Sequence, residues 1–137
     1  ETFRRAYFED QLKSWMFRIL PSTPQSLYIA IQSQRQPKNA ALDADLYKSD
    51  SSGLFFDKIH ENVLTNGLGL SDITMVQEVE GVILLLSHEN ADEDNAPPLA
   101  KSKISIDDGK TWHYLITIDD DDCGGDSECS LKLMWTT

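Results

Sequence analysis

A chain of 137 residues with 40% apolar and 9% aromatic side chains can pack a core, and 12 Lys+Arg against 23 Asp+Glu leave it at a formal charge of −11. That composition excludes a wholly disordered chain. The acid excess argues against nucleic acid or an anionic lipid surface as partner, since both attract bases.

In chain order, helical periodicity is weak: Phe8 to Arg18 offers a turn or two at most. Elsewhere the apolar residues alternate or form short runs, the pattern of strands. Leu27-Tyr28-Ile29-Ala30-Ile31, Ile73 to Val79, Val82 to Leu86, Lys101 to Ile106 and Trp112 to Ile118 are such runs. Ser52-Gly53, Asn66-Gly67 and Asp108-Gly109 punctuate them, and an Asp-Gly between two strand-like runs signals a hairpin. The longest apolar run, Val82 to Leu86, is far short of the roughly 20 residues of a membrane helix. The sequence begins at Glu1 with neither Met nor a leader pattern, which reads as a piece of a longer protein.

The acids concentrate in two places. Glu89, Asp92, Glu93 and Asp94 form one cluster; Asp119, Asp120, Asp121, Asp122, Asp126 and Glu128 form another, so 10 of the 23 acids sit in two windows without a base. Like charges repel and stay solvated, so both windows read as exposed loops. Counted as an EF-hand from Asp119, the fifth position is Cys123 and the twelfth Ser130, neither of which supplies the required carboxylate or amide ligand. No metal site follows. Cys123 and Cys129 flank Gly-Gly-Asp-Ser-Glu, without the Cys pairs of a zinc site or a Cys-x-x-Cys redox pair. Two readings stay open on the residues alone: two free thiols, or a disulfide closing a small loop in an oxidising compartment. His60, His88 and His113 are scattered and make no ligand pair.

A repeat organises the rest. Ser49-Asp50-Ser51-Ser52-Gly53-Leu54-Phe55-Phe56 aligns with Ser105-Ile106-Asp107-Asp108-Gly109-Lys110-Thr111-Trp112, 56 residues later. At the same offset Leu27-Tyr28-Ile29 falls on Ile83-Leu84-Leu85, and Leu20 on Val76. The expected unit is four short strands, over about 17–60 and again over about 73–118, with 130–137 opening a third. Four strands repeating at this period predict an all-β β-propeller fragment: two antiparallel blades and the start of another.

Ser105, Asp107, Gly109 and Trp112 form an Asp-box. Asp107 is expected to accept hydrogen bonds from its own turn, Gly109 to take a positive φ, and Trp112 to return between blades. The earlier copy, Ser49, Ser51, Gly53 and Phe56, is degenerate, with Ser51 in place of Asp as a weak acceptor and Phe56 in place of Trp. No catalytic role is assigned to Asp107.

The run Leu46 to Phe56, then His60-Glu61-Asn62-Val63, resembles the sortilin family of vacuolar protein-sorting receptors. So do Val76 to Val82, the stretch Ser105 to Trp112 with Tyr114-Leu115, and Cys123-x5-Cys129-Ser130-Leu131-Lys132-Leu133. The resemblance implies a piece, spanning 1–137, of a ten-bladed luminal propeller that carries hydrolase precursors or peptides between Golgi and endosome. It implies a Cys123–Cys129 disulfide, no cofactor, no catalytic residue, and membrane attachment only through a span outside this sequence. No ligand-contact residue carries over, and no Asn-x-Ser/Thr sequon occurs.

Two other classes compete. A sialidase-like glycosidase shares the Asp-box but needs an arginine cluster, and Arg4, Arg5, Arg18 and Arg35 occupy no common repeat position. A structural or interaction propeller without cargo is the other, since fold does not fix function. A pH-switch role for His60, His88 or His113 suits endosomal release, yet no residue pattern places them at an interface. A two-blade piece also leaves open strand edges, so it is expected to be poorly stable alone.

Overall fold

The computed structural model describes residues 2–10, 12, 16–33, 43–66, 71–94 and 96–116. Among them the regular structure is all β, with no helix: β1 (Tyr7–Phe8), β2 (Phe17–Thr23), β3 (Ser26–Gln32), β4 (Asp43–Ser49), β5 (Phe55–Leu64), β6 (Ile73–Met75), β7 (Ile83–His88), β8 (Ala100–Ser105) and β9 (His113–Tyr114). The strands form one open sheet in the order β2-β3-β4-β5-β7-β8-β9, with β6 on β7 and β1 on β5. Every pairing is antiparallel except β1 with β5. The sheet is not closed, as expected of a propeller fragment.

Burial explains why the β3 run carries no polar alternation. Side chains along a strand point to opposite faces in turn. Tyr28 and Ala30 of β3, with Ala44 and Leu46 of β4, enter a core shared with Val63, Ile73, Ile83 and Leu85, against which Ile59, Met75 and Trp112 pack. Their neighbours Ile31 and Tyr47 enter a second core with Phe56, covered by Phe8, Leu12 and Ile29. β3 is therefore apolar on both faces, as a strand covered on two sides must be, whereas β4 buries Asp43, Asp45 and Ser49 on the same face as Tyr47.

Three expectations about the elements change. The weak helical signal at Phe8 to Arg18 yields no helix in the described residues. Phe8 lies in β1 and stacks on Phe56, with ring centroids 4.6 Å apart, while Phe17 and Arg18 open β2. The strand expected at Ile73 to Val79 stops at Met75. Val76 to Val82 instead folds back, with the Val79 and Val82 amides donating to the Val76 and Val79 carbonyls and Gly81 at φ 84°. The strand after Trp112 covers only His113–Tyr114 in the described residues.

β5 leaves β4 and reaches β7 through a single pair, Val63 opposite Ser87. Just before it Asn62 takes φ 55°, and its amide donates to Asp45 Oδ1 at 3.2 Å. Register shifts lie in the β4–β5 ladder there. Asn is among the few non-glycine residues that enter the left-handed region readily, and such bulges bend and twist the strand.

Candidate functional site

The turn from β8 to β9 is built around Ser105, which is fully buried. Asp108 and Gly109 both take positive φ, 60° and 83°, the requirement of a tight primed turn. Ser105 Oγ donates to Asp107 Oδ1 at 2.8 Å and accepts the Gly109 amide at 2.8 Å. Asp107 also accepts the Thr111 amide at 2.9 Å and the Thr111 hydroxyl. Those bonds, the Thr111 hydroxyl foremost, hold the Asp107 carboxyl down to about 2. A group held so low keeps no proton to donate near neutral pH.

The turn reaches outward as well. Trp112 Nε1 donates to the Ile59 carbonyl at 2.9 Å, and its ring meets the His60 ring edge-on at 5.0 Å. A Cβ on Gly109 would lie 2.5 Å from Ile59 Cδ1, so the glycine lets β5 come this close. On the other flank the Tyr28 hydroxyl donates to Asp108 Oδ1 at 3.0 Å, and Lys48 Nζ lies 3.9 Å from Asp108 Oδ2.

The earlier turn, from β4 to β5, uses other side chains for the same task. Asp50 Oδ1 accepts the Ser52 amide and hydroxyl at 3.1 and 2.6 Å, and Ser52 Oγ accepts the Leu54 amide at 3.2 Å. Asp50, not Ser51, is therefore the local carboxylate, and Ser51 is exposed. Ser49 Oγ accepts the Leu27 amide at 2.8 Å, and Gly53 takes φ 73°. Phe56 packs against Phe8 of β1 much as Trp112 packs against β5.

The histidines fall in distinct settings. His60 is largely buried, and burial, aided by Lys103, lowers it to about 4. His88 and Asp43 are fully buried and joined, Nδ1 lying 2.9 and 2.8 Å from the two carboxylate oxygens. Burial raises the Asp43 carboxyl despite that hydrogen bond. His113 is exposed at the start of β9. An Asp–His pair can orient a catalytic base, but this one is sealed from any substrate by its own burial. Sequence reasoning missed it. The signal was a departure from the repeat: at the 56-residue offset the buried Asp43 falls on the exposed Leu99, and His88 on Gln32.

The acid cluster near residue 90 divides. Asp92, Glu93 and Asp94 are exposed, as their mutual repulsion predicts. Glu89 departs from that: it is half-buried, accepts the Tyr114 hydroxyl at 2.7 Å and lies 2.9 Å from Lys103 Nζ. Burial alone would raise its carboxyl, but hydrogen bonds from Ser87, Tyr114 and Lys103 bring it below the usual range. Arg18 gives its guanidinium to the Ser71 carbonyl at 3.2 Å. Among the described residues no three His, Cys, Asp or Glu converge as metal ligands, and no helix is long and apolar enough to cross a membrane. The second acid cluster, Cys123, Cys129, Arg35 and the strand from Ser130 lie outside the described residues.

An open all-β sheet whose turns clamp each strand group onto the preceding one defines a propeller fragment. The chain belongs to the sortilin–Vps10 family: the family described as "Sortilin, neurotensin receptor 3" matches residues 1–137. It is 38% identical over 142 residues to a vacuolar protein sorting/targeting protein 10 of Clavispora lusitaniae, covering 98% of this chain and 9% of that protein. A protein of the same name from Candida albicans is 33% identical over 147 residues, covering 97% of this chain and 9% of the relative. The vacuolar protein sorting/targeting protein PEP1 of Saccharomyces cerevisiae is 30% identical over 129 residues, 92% of this chain and 8% of its own length. The chain thus spans about a tenth of the relatives it matches.

Proposed function

We propose that this chain is part of the luminal propeller of a sorting receptor that binds cargo proteins or peptides and delivers them toward the vacuole or lysosome, without catalysis. The observation that carries the reading is the family match over the whole chain, joined to relatives whose names state vacuolar sorting. The chemistry fits a binder. β2 pairs only with β3 among the described strands, and Phe17 and Ile19 on it are each 64% exposed. An unpaired edge with apolar side chains on alternate positions can take an extended peptide as an added strand.

In the same reading 17–60 and 73–118 are two blades, 130–137 begins the next, and Ser105, Asp107, Gly109 and Trp112 form a structural Asp-box, with Ser49, Ser51, Gly53 and Phe56 its worn copy. Cys123 and Cys129 pair as a disulfide, and the parent is a single-pass membrane protein facing the Golgi and endosome lumen. Calorimetry on the full-length luminal portion with a vacuolar hydrolase precursor, from pH 5 to 7.4, tests the function. Saturable binding is expected, and its absence at every pH overturns the reading.

A further inference from the structure

Where the β2–β3 turn meets the fold-back at residues 76–82, the surface holds a groove of about 350 Å³. Pro21, Met75, Val76, Val79 and Val82 give it an apolar floor beside Tyr28, while Ser22, Thr23, Gln77 and Glu80 add polar groups to its lining. That volume is of the size that takes a small ligand or one large side chain. Val79 at its lip is 53% exposed.

The rim is acidic. Glu78 and Glu80 stand exposed on either side of Val79, and neither pairs with a base among the described residues. Asp108 lies beside the groove: it accepts the Tyr28 hydroxyl at 3.0 Å, and its Oδ1 would be 3.4 Å from a Cβ on Gly81. Glu80 lines the groove and Asp108 adjoins it, with Lys48 Nζ 3.9 Å from Asp108 Oδ2. An apolar slot under a net negative rim is complementary to one apolar side chain flanked by cations.

We propose that this groove, at the Thr23 end of β2 and away from Phe17 and Ile19, is a second docking site for an extended peptide segment that carries a leucine-sized apolar residue between Lys or Arg residues. The apolar side chain enters beside Val76 and Val82, and the flanking cations meet Glu78, Glu80 and Asp108. The acid excess of the chain then bears on partner choice locally, although most of it lies in other loops.

The test uses the full-length protein and a fluorescein-labelled heptapeptide, Gly-Lys-Arg-Leu-Lys-Arg-Gly, acetylated and amidated so that no free terminus contributes. Fluorescence anisotropy at low salt is expected to give saturable binding in the range of about 10–100 μM, weakening as salt screens the rim. Val79→Lys and Glu80→Lys, both at exposed positions that leave the fold intact, are each expected to weaken binding about tenfold. Replacing the peptide's leucine by glycine is expected to do the same. The proposal is overturned if the peptide does not bind, if an analogue with Glu in place of each cation binds equally well, or if both variants bind as tightly as the parent protein.

Discussion

Gly109→Ala tests whether the β8–β9 turn is a local hairpin or a joint between strand groups. Two effects add. A non-glycine residue at φ 83° loses about 1–2 kcal/mol to left-handed strain. The new Cβ would also sit 2.5 Å from Ile59 Cδ1, with Ile59 Cγ1 and Cβ at 3.3 and 3.4 Å, so the isoleucine must leave its rotamer or β5 must retreat. Overpacking of this kind costs about 1–3 kcal/mol. Lower entropy of the unfolded chain returns about 0.4–1 kcal/mol. The expected net loss is about 2–4 kcal/mol.

Gly53→Ala is the internal control. Gly53 has a similar φ, 73°, but its Cβ would meet nothing closer than Leu27 Cδ1 at 3.5 Å, an ordinary contact. It should lose only the backbone strain, about 1 kcal/mol. Hydrogen exchange in the full-length protein reads each turn locally, one factor of ten in protection per 1.4 kcal/mol. Gly109→Ala should lower protection over 100–116 by 30-fold or more, and Gly53→Ala over 43–56 by about fivefold. Ile59→Ala in the Gly109→Ala background should restore part of the loss, with coupling of at least about 0.5 kcal/mol. Equal losses at the two glycines, or no coupling to Ile59, would refute the joint.

Other expectations follow from single contacts. Trp112→Phe keeps the ring but removes the donor to the Ile59 carbonyl, so protection of 100–116 should fall by about 1 kcal/mol, read by the same exchange measurement. His60 is lowered to about 4 from 6.5 by burial, so the unfolded chain binds its proton first; stability is full above about pH 6.5 and falls by roughly 3 kcal/mol toward pH 4. Thermal unfolding of His60→Phe should lack that slope, and an NMR titration of the His60 ring near 6.5 would contradict it. Asp43→Ala leaves the fully buried His88 ring without its carboxylate and should destabilise by about 3–5 kcal/mol, whereas Asp43→Asn, which keeps an acceptor, should lose less; urea denaturation distinguishes them.

The sequence revealed those features that rest on local pattern. Strand runs, the Ser52-Gly53 and Asp108-Gly109 turns and the 56-residue period all follow from alternation and turn chemistry, and β3, β7 and β8 lie close to where the runs place them; Gly67 of the Asn66-Gly67 turn lies outside the described residues. The family resemblance stood on the same ordered motifs. What stayed hidden depends on which strands become neighbours. Asp43 and His88 are 45 positions apart, and their pairing exists only because β5 carries the ladder across to β7. The Tyr28–Asp108 bond, 80 positions apart, has no spacing that announces it. The alignment puts Ser51 opposite Asp107 as a weak acceptor, but the carboxylate of that turn is its neighbour Asp50, which accepts the Ser52 amide two residues on, where Asp107 accepts the Thr111 amide four residues on. Phe8, at the start of the weak helical hint, is instead a strand residue stacked on Phe56, and periodicity cannot see a partner 48 residues away.

Both turns join backward along the chain. The later one binds β5 through Trp112 and the Ile59 carbonyl; the earlier one binds β1, with the Tyr7 amide donating to the Leu54 carbonyl at 2.6 Å and Tyr7 stacked on Phe55 at 5.3 Å. β1 therefore occupies, for the first strand group, the place that β5 occupies for the second. A turn closed by its own serine and aspartate would form with or without a neighbour, but its aromatic residue is covered only when the preceding strand is present. Local turn stability and long-range docking are in this way coupled, so loss of one joint should loosen the strand group behind it as well as the turn itself. That coupling explains why the turn residues recur with the period of the whole unit: each must match a hairpin and the strand group before it.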